Sequence, residues 1–235
     1  MLPPLEWAQH LPLEEKTLAE GFKAAGYATA SIGKWHLGAA DFYPEKQGFD
    51  LNLAGTHAGQ PPSYFSPYGI ETLPDGPKGE FLTDREAAEA GKFMEAHQKD
   101  KFFIYLPLHA VHTPLMGKAD VVAKYKNKAG EPQGKPAYAS LIESVDDAMG
   151  VLQKKLVDLG LWEKTIVIFT SDNGAASGSS APGAGLLVRP GLVVPLARPG
   201  TGSFSQEMFR GTLSHKQFPG FNLDLSVPGL PQQIT

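Results

Sequence analysis

Three short apolar runs each follow a stretch with helical apolar spacing, and this alternation limits the chain to few folds. Leu18, Phe22 and Ala25 recur at i, i+4 and i+7, which predicts a helix over Leu13–Ala25 with Gly26 at its C-terminal turn. Tyr27–Gly33 follows as a strand. Thr83 and Asp84 are suited to cap a second helix over Arg85–His97, with Ala87, Ala90 and Met94 facing inward. Phe102–Leu106 is then a buried strand. Tyr138–Leu159 holds apolar residues at helical spacing throughout, and Gly160 stops it. Thr165–Thr170 is almost wholly apolar, the pattern of a strand covered on both faces. Helix and strand in alternation imply an α/β fold with a mainly parallel sheet flanked by helices. Ligand sites in such sheets form beyond the carboxyl ends of the strands. The polar segments around His36, His112 and Asp172 all fall there.

Composition narrows the function classes. A net charge of −4 without long runs of one sign gives no reason to expect nucleic acid or an anionic membrane as partner. No stretch has the apolar length of a membrane span. The first seven residues have neither a basic nor an apolar region of the signal-peptide type. Cysteine is absent, so disulfides and thiolate metal sites are excluded. Residues 41–79 are rich in Pro, Gly, Tyr and Phe without a period, and read as a long irregular excursion. The 59 residues from Ser177 hold nine Gly and seven Pro and no periodic apolar face, so they are expected to be poorly ordered. The organisation expected is a catalytic-type domain over 1–176 and a divergent tail over 177–235. Nothing in the sequence assigns an oligomeric state.

Several side chains could carry chemistry. Asp172 and Asn173 offer hard oxygen ligands for Ca²⁺ or Mg²⁺ just after a strand, although Asp-Asn-Gly is also ordinary turn chemistry. Lys34 and His36, two apart at a strand end, could neutralise an anion and move a proton. His109 and His112 sit in a proline-bounded loop, where an imidazole could act as general acid. Each feature in isolation reads better as a turn or as a solvated or hydrogen-bonded loop group.

Taken together they form a recognisable set. Thr17-Leu18-Ala19-Glu20 through Gly26-Tyr27-Ala28-Thr29, followed by Gly33-Lys34-Trp35-His36-Leu37-Gly38, resembles the second signature of the sulfatase family. Phe102-Phe103-Ile104-Tyr105 with His112-Thr113-Pro114 resembles the family's substrate-histidine loop. Ile168 to Gly174 resembles its second metal-binding segment. The resemblance covers about residues 5–176 in order and spacing. It implies an alkaline-phosphatase/sulfatase-like fold and hydrolysis of sulfate esters at a calcium-dependent site. By the same resemblance Lys34 contacts the sulfate and the nucleophile, His36 hydrogen-bonds the nucleophile, and His112 lies at the ester oxygen and can protonate the leaving group. Asp172 and Asn173 correspond to calcium ligands. His57, in the loop Gly55–Gly59 that runs on to Ser63–Tyr68, is expected at the substrate mouth; the aromatics there suit a sugar or aryl group, and equally an ordinary packed loop. His109 has no clear counterpart and ranks below His112. The implied partner is a sulfated small molecule or glycan, and the implied compartment periplasmic, secreted or lysosomal.

The departures matter as much. The family nucleophile is a formylglycine made from Cys or Ser within a Cys/Ser-x-Pro-x-Arg motif. Ser180-Ala181-Pro182 begins like it, but Ala184 stands in the place of Arg and the position in the chain is wrong. That motif and an acidic pair of calcium ligands should precede Gly33, and only 32 residues do. Past Ala176 the family's Gly-Lys-Gly and Tyr-Glu-Gly-Gly stretch is replaced by Pro182 to Arg189. Such an abrupt change is what a frameshift or recombination near Ser180 would leave, and another frame of the coding DNA should then restore Tyr-Glu-Gly-Gly. Two other readings stay open: a related phosphodiesterase or phosphonate hydrolase, and a non-catalytic module that binds sulfated ligands.

Overall fold

The computed structural model describes residues 9–126, 136–170 and 194–195. These lie in one compact unit, Met1–Ala197; a second, Arg198–Thr235, is outside the described residues, as are Asp172, Asn173 and all of the tail assigned above except 194–195. The sheet that organises the fold has three parallel strands in the order β2-β1-β3: β1 is Ala28–Ile32, β2 Leu51–Leu53 and β3 Phe102–Tyr105. Ala30 pairs with Leu51 on one side and Ile104 on the other. The strand period of two then sorts side chains to opposite faces. Ala30, Ile32, Phe102 and Ile104 join a cluster with Ala90, Phe93 and Met94 of α2 (Leu82–Ala96) and Leu152 and Leu156 of a long helix, Pro136–Asp158. Phe103 faces the other way, into a cluster with Ala19, Trp35, Tyr43 and Phe49. Both sheet faces are thus covered, as a parallel sheet requires.

The first helix, α1, spans Leu18–Ala24 and is shorter than its apolar spacing predicts. Its start is set by a capping box: Thr17 Oγ1 accepts from Glu20 N–H at 3.1 Å, and Glu20 Oε2 accepts from Thr17 N–H at 2.9 Å. Leu18 is 74% exposed; Ala19 and Phe22 face inward instead, with the Phe22 ring stacked on Phe103 at 4.6 Å. The expected glycine stop is present. Gly26 has φ 79°, its N–H donates to Lys23 O and Tyr27 N–H to Phe22 O, the two bonds of a Schellman turn. Gly160 ends the long helix in the same way, with Leu161 N–H bonded to Leu156 O.

Asp50 ties the starts of β1 and β2 together. Its Oδ2 accepts from Thr29 N–H and Oγ1–H, both at 3.0 Å, and Lys23 Nζ lies 2.6 Å from Oδ1. The Lys23 ammonium, with the Thr29 hydrogen bonds, holds the Asp50 carboxyl below its ordinary pKa. A depressed folded pKa contributes stability above the unfolded value, about 3.9, and the contribution is lost as pH falls through the folded value. Asp50→Asn should therefore cost about 1 kcal/mol at neutral pH, limited by solvent screening. The difference from the parent should shrink in denaturant melts run below about pH 3.

The excursion over 41–79 is better packed than its composition suggests. It contains two 3-10 turns, Ala40–Phe42 and Pro44–Lys46, and the strand β2. Beyond β2 it supplies Tyr64, Tyr68, Ile70 and Leu73 to a core cluster with Phe81, Leu82 and Leu141. Tyr64 and Tyr68 are fully buried, so the aromatics of Ser63–Tyr68 belong to the core and not to a substrate mouth. Their hydroxyls are satisfied inside: Tyr64 Oη–H donates to His109 O at 2.7 Å and Tyr68 Oη–H to Glu80 Oε2 at 2.7 Å. Burial raises both phenols well above their ordinary pKa, and Glu80 adds to this at Tyr68.

Two further expectations are corrected. α2 begins at Leu82 with Phe81 at its N-cap and no side-chain cap; Thr83 is fully buried, because its position faces the helix interface rather than the terminus. Thr165–Thr170 does not join the parallel sheet. Only β4, Ile168–Phe169, is strand there, and it pairs antiparallel with β5, Val194–Pro195. Ile166 is 75% and Ile168 62% exposed, while Val167 packs on the sheet's core cluster. An apolar run registers a demand for cover, but does not say which element meets it. A helix that the sequence reading passes over, α3 at Ala119–Lys126, packs on α4, the Pro136–Asp158 helix, through Lys124 and Tyr125, both bonded to Glu143 Oε2.

Candidate active site

Three loops leave the carboxyl ends of β1, β2 and β3 and meet. Gly33 N–H donates to Leu53 O at 2.8 Å, Lys34 N–H to Pro107 O at 2.7 Å and His36 N–H to Thr56 O at 2.9 Å. Gly33 has φ 121°, and a Cβ there would sit 2.2 Å from Pro107 O. Only glycine lets the first and third loops approach so closely. Gly33→Ala should cost about 2 kcal/mol or more through left-handed strain and that clash. A shift in the denaturant midpoint below a few tenths of a kcal/mol would show the contact to be loose.

Within the Gly33–Gly38 turn, side chains divide by anchoring. Trp35 is buried, its indole N–H bonded to Phe42 O at 2.9 Å and its ring set edge-on to Phe49. Lys34 is half-buried and, among the described residues, has no carboxylate partner. His36 is exposed, with φ 57°, and its ring lies against Gly59: a Cβ on Gly59 would come 2.6 Å from His36 Cε1. A half-buried cation without a counter-ion among the described residues, next to an open imidazole, suits an anion.

The β3 loop carries the two histidines of Pro107–Pro114. His112 is exposed, and its Nδ1 lies 3.2 Å from both Thr113 O and Thr113 Oγ1. Thr113 Oγ1–H reaches Gln60 Oε1 at 3.3 Å, which joins this loop to the Thr56–Gln60 segment beside His36. His109 is buried. Its Nδ1 is 2.6 Å from Glu86 Oε1 of α2, with side-chain exposures of 2% and 0%. Tyr64 Oη–H also approaches His112 O at 3.0 Å. The Glu86–His109 pair and the Tyr64 hydroxyl thus clamp the backbone that presents His112. Glu86 is the residue that sequence reading misses. Its signal is an acid on the inward stripe of α2, in step with Thr83, Ala87 and Ala90.

Thr56, His57, Ala58, Gln60, Pro62, Gly69, Ile70, Glu71 and His109 line a cavity of about 200 Å³. His57 stands at its exposed rim, and its N–H contacts Tyr43 Oη at 3.4 Å. Tyr43 Oη–H donates to Glu71, and burial together with that carboxylate raises the phenol pKa. Lys34, His36, His57, His109 and His112 therefore all come to the carboxyl end of the sheet. Asp172 and Asn173 lie outside the described residues, and among the described residues no group of three or more acidic or histidine side chains could hold a metal ion.

A family model described as Sulfatase matches residues 1–215, past the last of the motifs read from the sequence. The chain belongs to the sulfatase family. Over 206 residues it is 32% identical to N-acetylgalactosamine-6-sulfatase of Mus musculus, a match covering 77% of this chain and 37% of that protein. Arylsulfatase A of Homo sapiens is 32% identical over 192 residues, covering 70% of this chain and 36% of its own length. The sulfatase chain thus spans little more than a third of these curated relatives. Among solved structures it resembles Ps i-CgsB in complex with k-i-k-neocarrahexaose, with TM-score 0.59 and 27% identity over 72% of this chain and 42% of that one. A putative sulfatase, yidJ from Bacteroides fragilis, shares the fold with TM-score 0.56 over 70% of this chain and 45% of that one. The parallel sheet flanked by helices is therefore a sulfatase fold.

Proposed function

We propose that this chain carries the sulfate-recognition and proton-donating part of a sulfuric ester hydrolase. The observation that supports it is Lys34, without a carboxylate partner among the described residues, beside His36 on a loop bonded to the one preceding His112. Lys34 would bind the sulfate oxygens, where charge gathers as the S–O bond breaks. His36 would orient the attacking group, and His112, open to solvent, would give a proton to the ester oxygen of the leaving alcohol. The covalent nucleophile of the family has no counterpart in this sequence, so the reading is one of binding and proton transfer. Aryl sulfates and sulfated glycans are the ligand classes, the latter supported by the carrageenan oligosaccharide in one structural relative.

Calcium is assigned to Asp172 and Asn173 on the sulfatase resemblance alone. The described residues supply no further carboxylate cluster to fit the six to eight oxygens that calcium takes. Calcium should bind no tighter than about millimolar. Micromolar affinity in titration calorimetry would require other carboxylates, with Asp41 and Glu45 the first to test.

Binding separates the sulfatase reading from a phosphodiesterase. 4-Nitrophenyl sulfate should bind the chain more tightly than bis(4-nitrophenyl) phosphate, and Lys34→Ala should weaken the sulfate about tenfold, the scale of one charge-assisted contact. Preference for the phosphodiester, or a Lys34→Ala chain that binds sulfate as well as the parent, would reject the assignment.

A further inference from the structure

Next to the three candidate catalytic side chains lies a cavity to which they contribute nothing. Its floor is Thr56, Ile70 and His109, all buried, and its rim carries His57, Gln60 and Glu71. The same segment that walls it, Thr56–Gln60, touches His36 through Thr56 O and Gly59, and the His112 loop through Gln60. Whatever sits in the cavity is therefore one loop's thickness from the proposed sulfate position.

His109 is, with Thr56, one of two polar groups at the bottom. It is 3% exposed, its Nδ1 is taken by Glu86, and among the described residues Nε2 has no hydrogen-bond partner. With Nδ1–H donated to Glu86, Nε2 is an acceptor with its orientation fixed by a buried carboxylate. Such an atom accepts from a hydroxyl or amide N–H. The rest of the wall is Ala58, Pro62, Gly69 and Ile70, apolar and small. Among the described residues no Lys or Arg lines the cavity, and the carboxylate at its rim is Glu71, accepting from Tyr43 Oη–H. A volume of about 200 Å³ is below the range of drug-sized pockets and takes one small ring.

We propose that this cavity is a subsite for an uncharged, hydroxyl-bearing sugar ring, read by His109 and guarded by Glu71 against a second anionic group. The inference rests on the sulfatase reading for the neighbouring sulfate, and it deepens that reading by naming what the adjoining ring must lack. The sulfate would lie on the Lys34 side of the Thr56–Gln60 segment, and a ring with free hydroxyls in the cavity. A ring that also presents a sulfate or carboxylate there meets Glu71 and is rejected by like charge.

The test uses the full 235-residue chain, with ring signals of the histidines followed by NMR. D-galactose and D-galacturonate serve as probes of nearly equal size and different charge. Galactose should shift the His57 and His109 signals saturably in the millimolar range, and galacturonate should bind at least fivefold more weakly. Glu71→Gln should remove that difference, and Ala58→Phe, which fills the cavity, should abolish the galactose response. Galactose that leaves His109 unmoved, or galacturonate that binds the parent equally well, would overturn the proposal. The sulfatase reading is scored separately in the same spectra, by the response of His36 and His112 to 4-nitrophenyl sulfate.

Discussion

Purified alone and supplied with calcium, the 235-residue chain should release no alcohol from a chromogenic aryl sulfate. Lys34, His36 and His112 can bind charge and move protons, but none replaces the formylglycine whose covalent intermediate divides the family's displacement into two easier steps. Removing a member of a catalytic unit costs on the order of a millionfold in a well-studied hydrolase, and the residual rate falls beneath ordinary detection. The control is His112→Ala. Turnover in the parent that disappears in this variant would overturn the expectation and would point to a nucleophile elsewhere in the sequence.

The second large effect concerns stability. Glu86→Ala should cost about 1–3 kcal/mol, because it leaves the His109 Nδ1–H buried without its acceptor. A domain of ordinary stability, about 5–15 kcal/mol, would lose a large part of its margin. Glu86→Gln keeps a hydrogen-bonding oxygen at the same place and should cost less. Urea melts of the three proteins decide the matter, and amide hydrogen exchange locates it. Exchange should rise first over 107–114, the loop that the pair and Tyr64 hold down. A Glu86→Ala midpoint within about 1 kcal/mol of the parent would mean that the pair is incidental to the fold.

The parts of this fold that sequence reading finds are those written in local chemistry. Gly26 and Gly160 announce Schellman turns, and both turns are present. The Tyr27–Gly33 and Phe102–Leu106 runs pair in parallel, so Gly33 and Pro107 leave the sheet at the same end. That alone brings Lys34, His36 and His112 to one side. Leu18 shows the limit of periodicity: the capping box at Thr17 starts the helix in a rotation that points Leu18 outward, and helical spacing does not carry that information. Tyr64 and Tyr68 show another. Their segment has no period because it is held by long-range hydrogen bonds, to His109 O and Glu80, which composition does not record. Thr165–Thr170 looked like a central strand because it is apolar, yet Val167 alone among its apolar side chains packs on the core. Glu86 was hidden for a related reason. A carboxylate on an apolar stripe is unusual, but its partner lies 23 residues away on a loop, and only the fold brings His109 to it.

The central claim is that Lys34, His36 and His112 form one anion-binding, proton-donating unit. Histidine ring signals of the full chain, assigned by substitution and followed while 4-nitrophenyl sulfate is titrated in, test it most directly. The signals of His36 and His112 should move together along a single binding curve, and Lys34→Ala should flatten that curve. His97, paired with Asp100 at the far end of α2, should stay still. Signals of His36 and His112 that stay still, or that move no more than that of His97, would contradict the account.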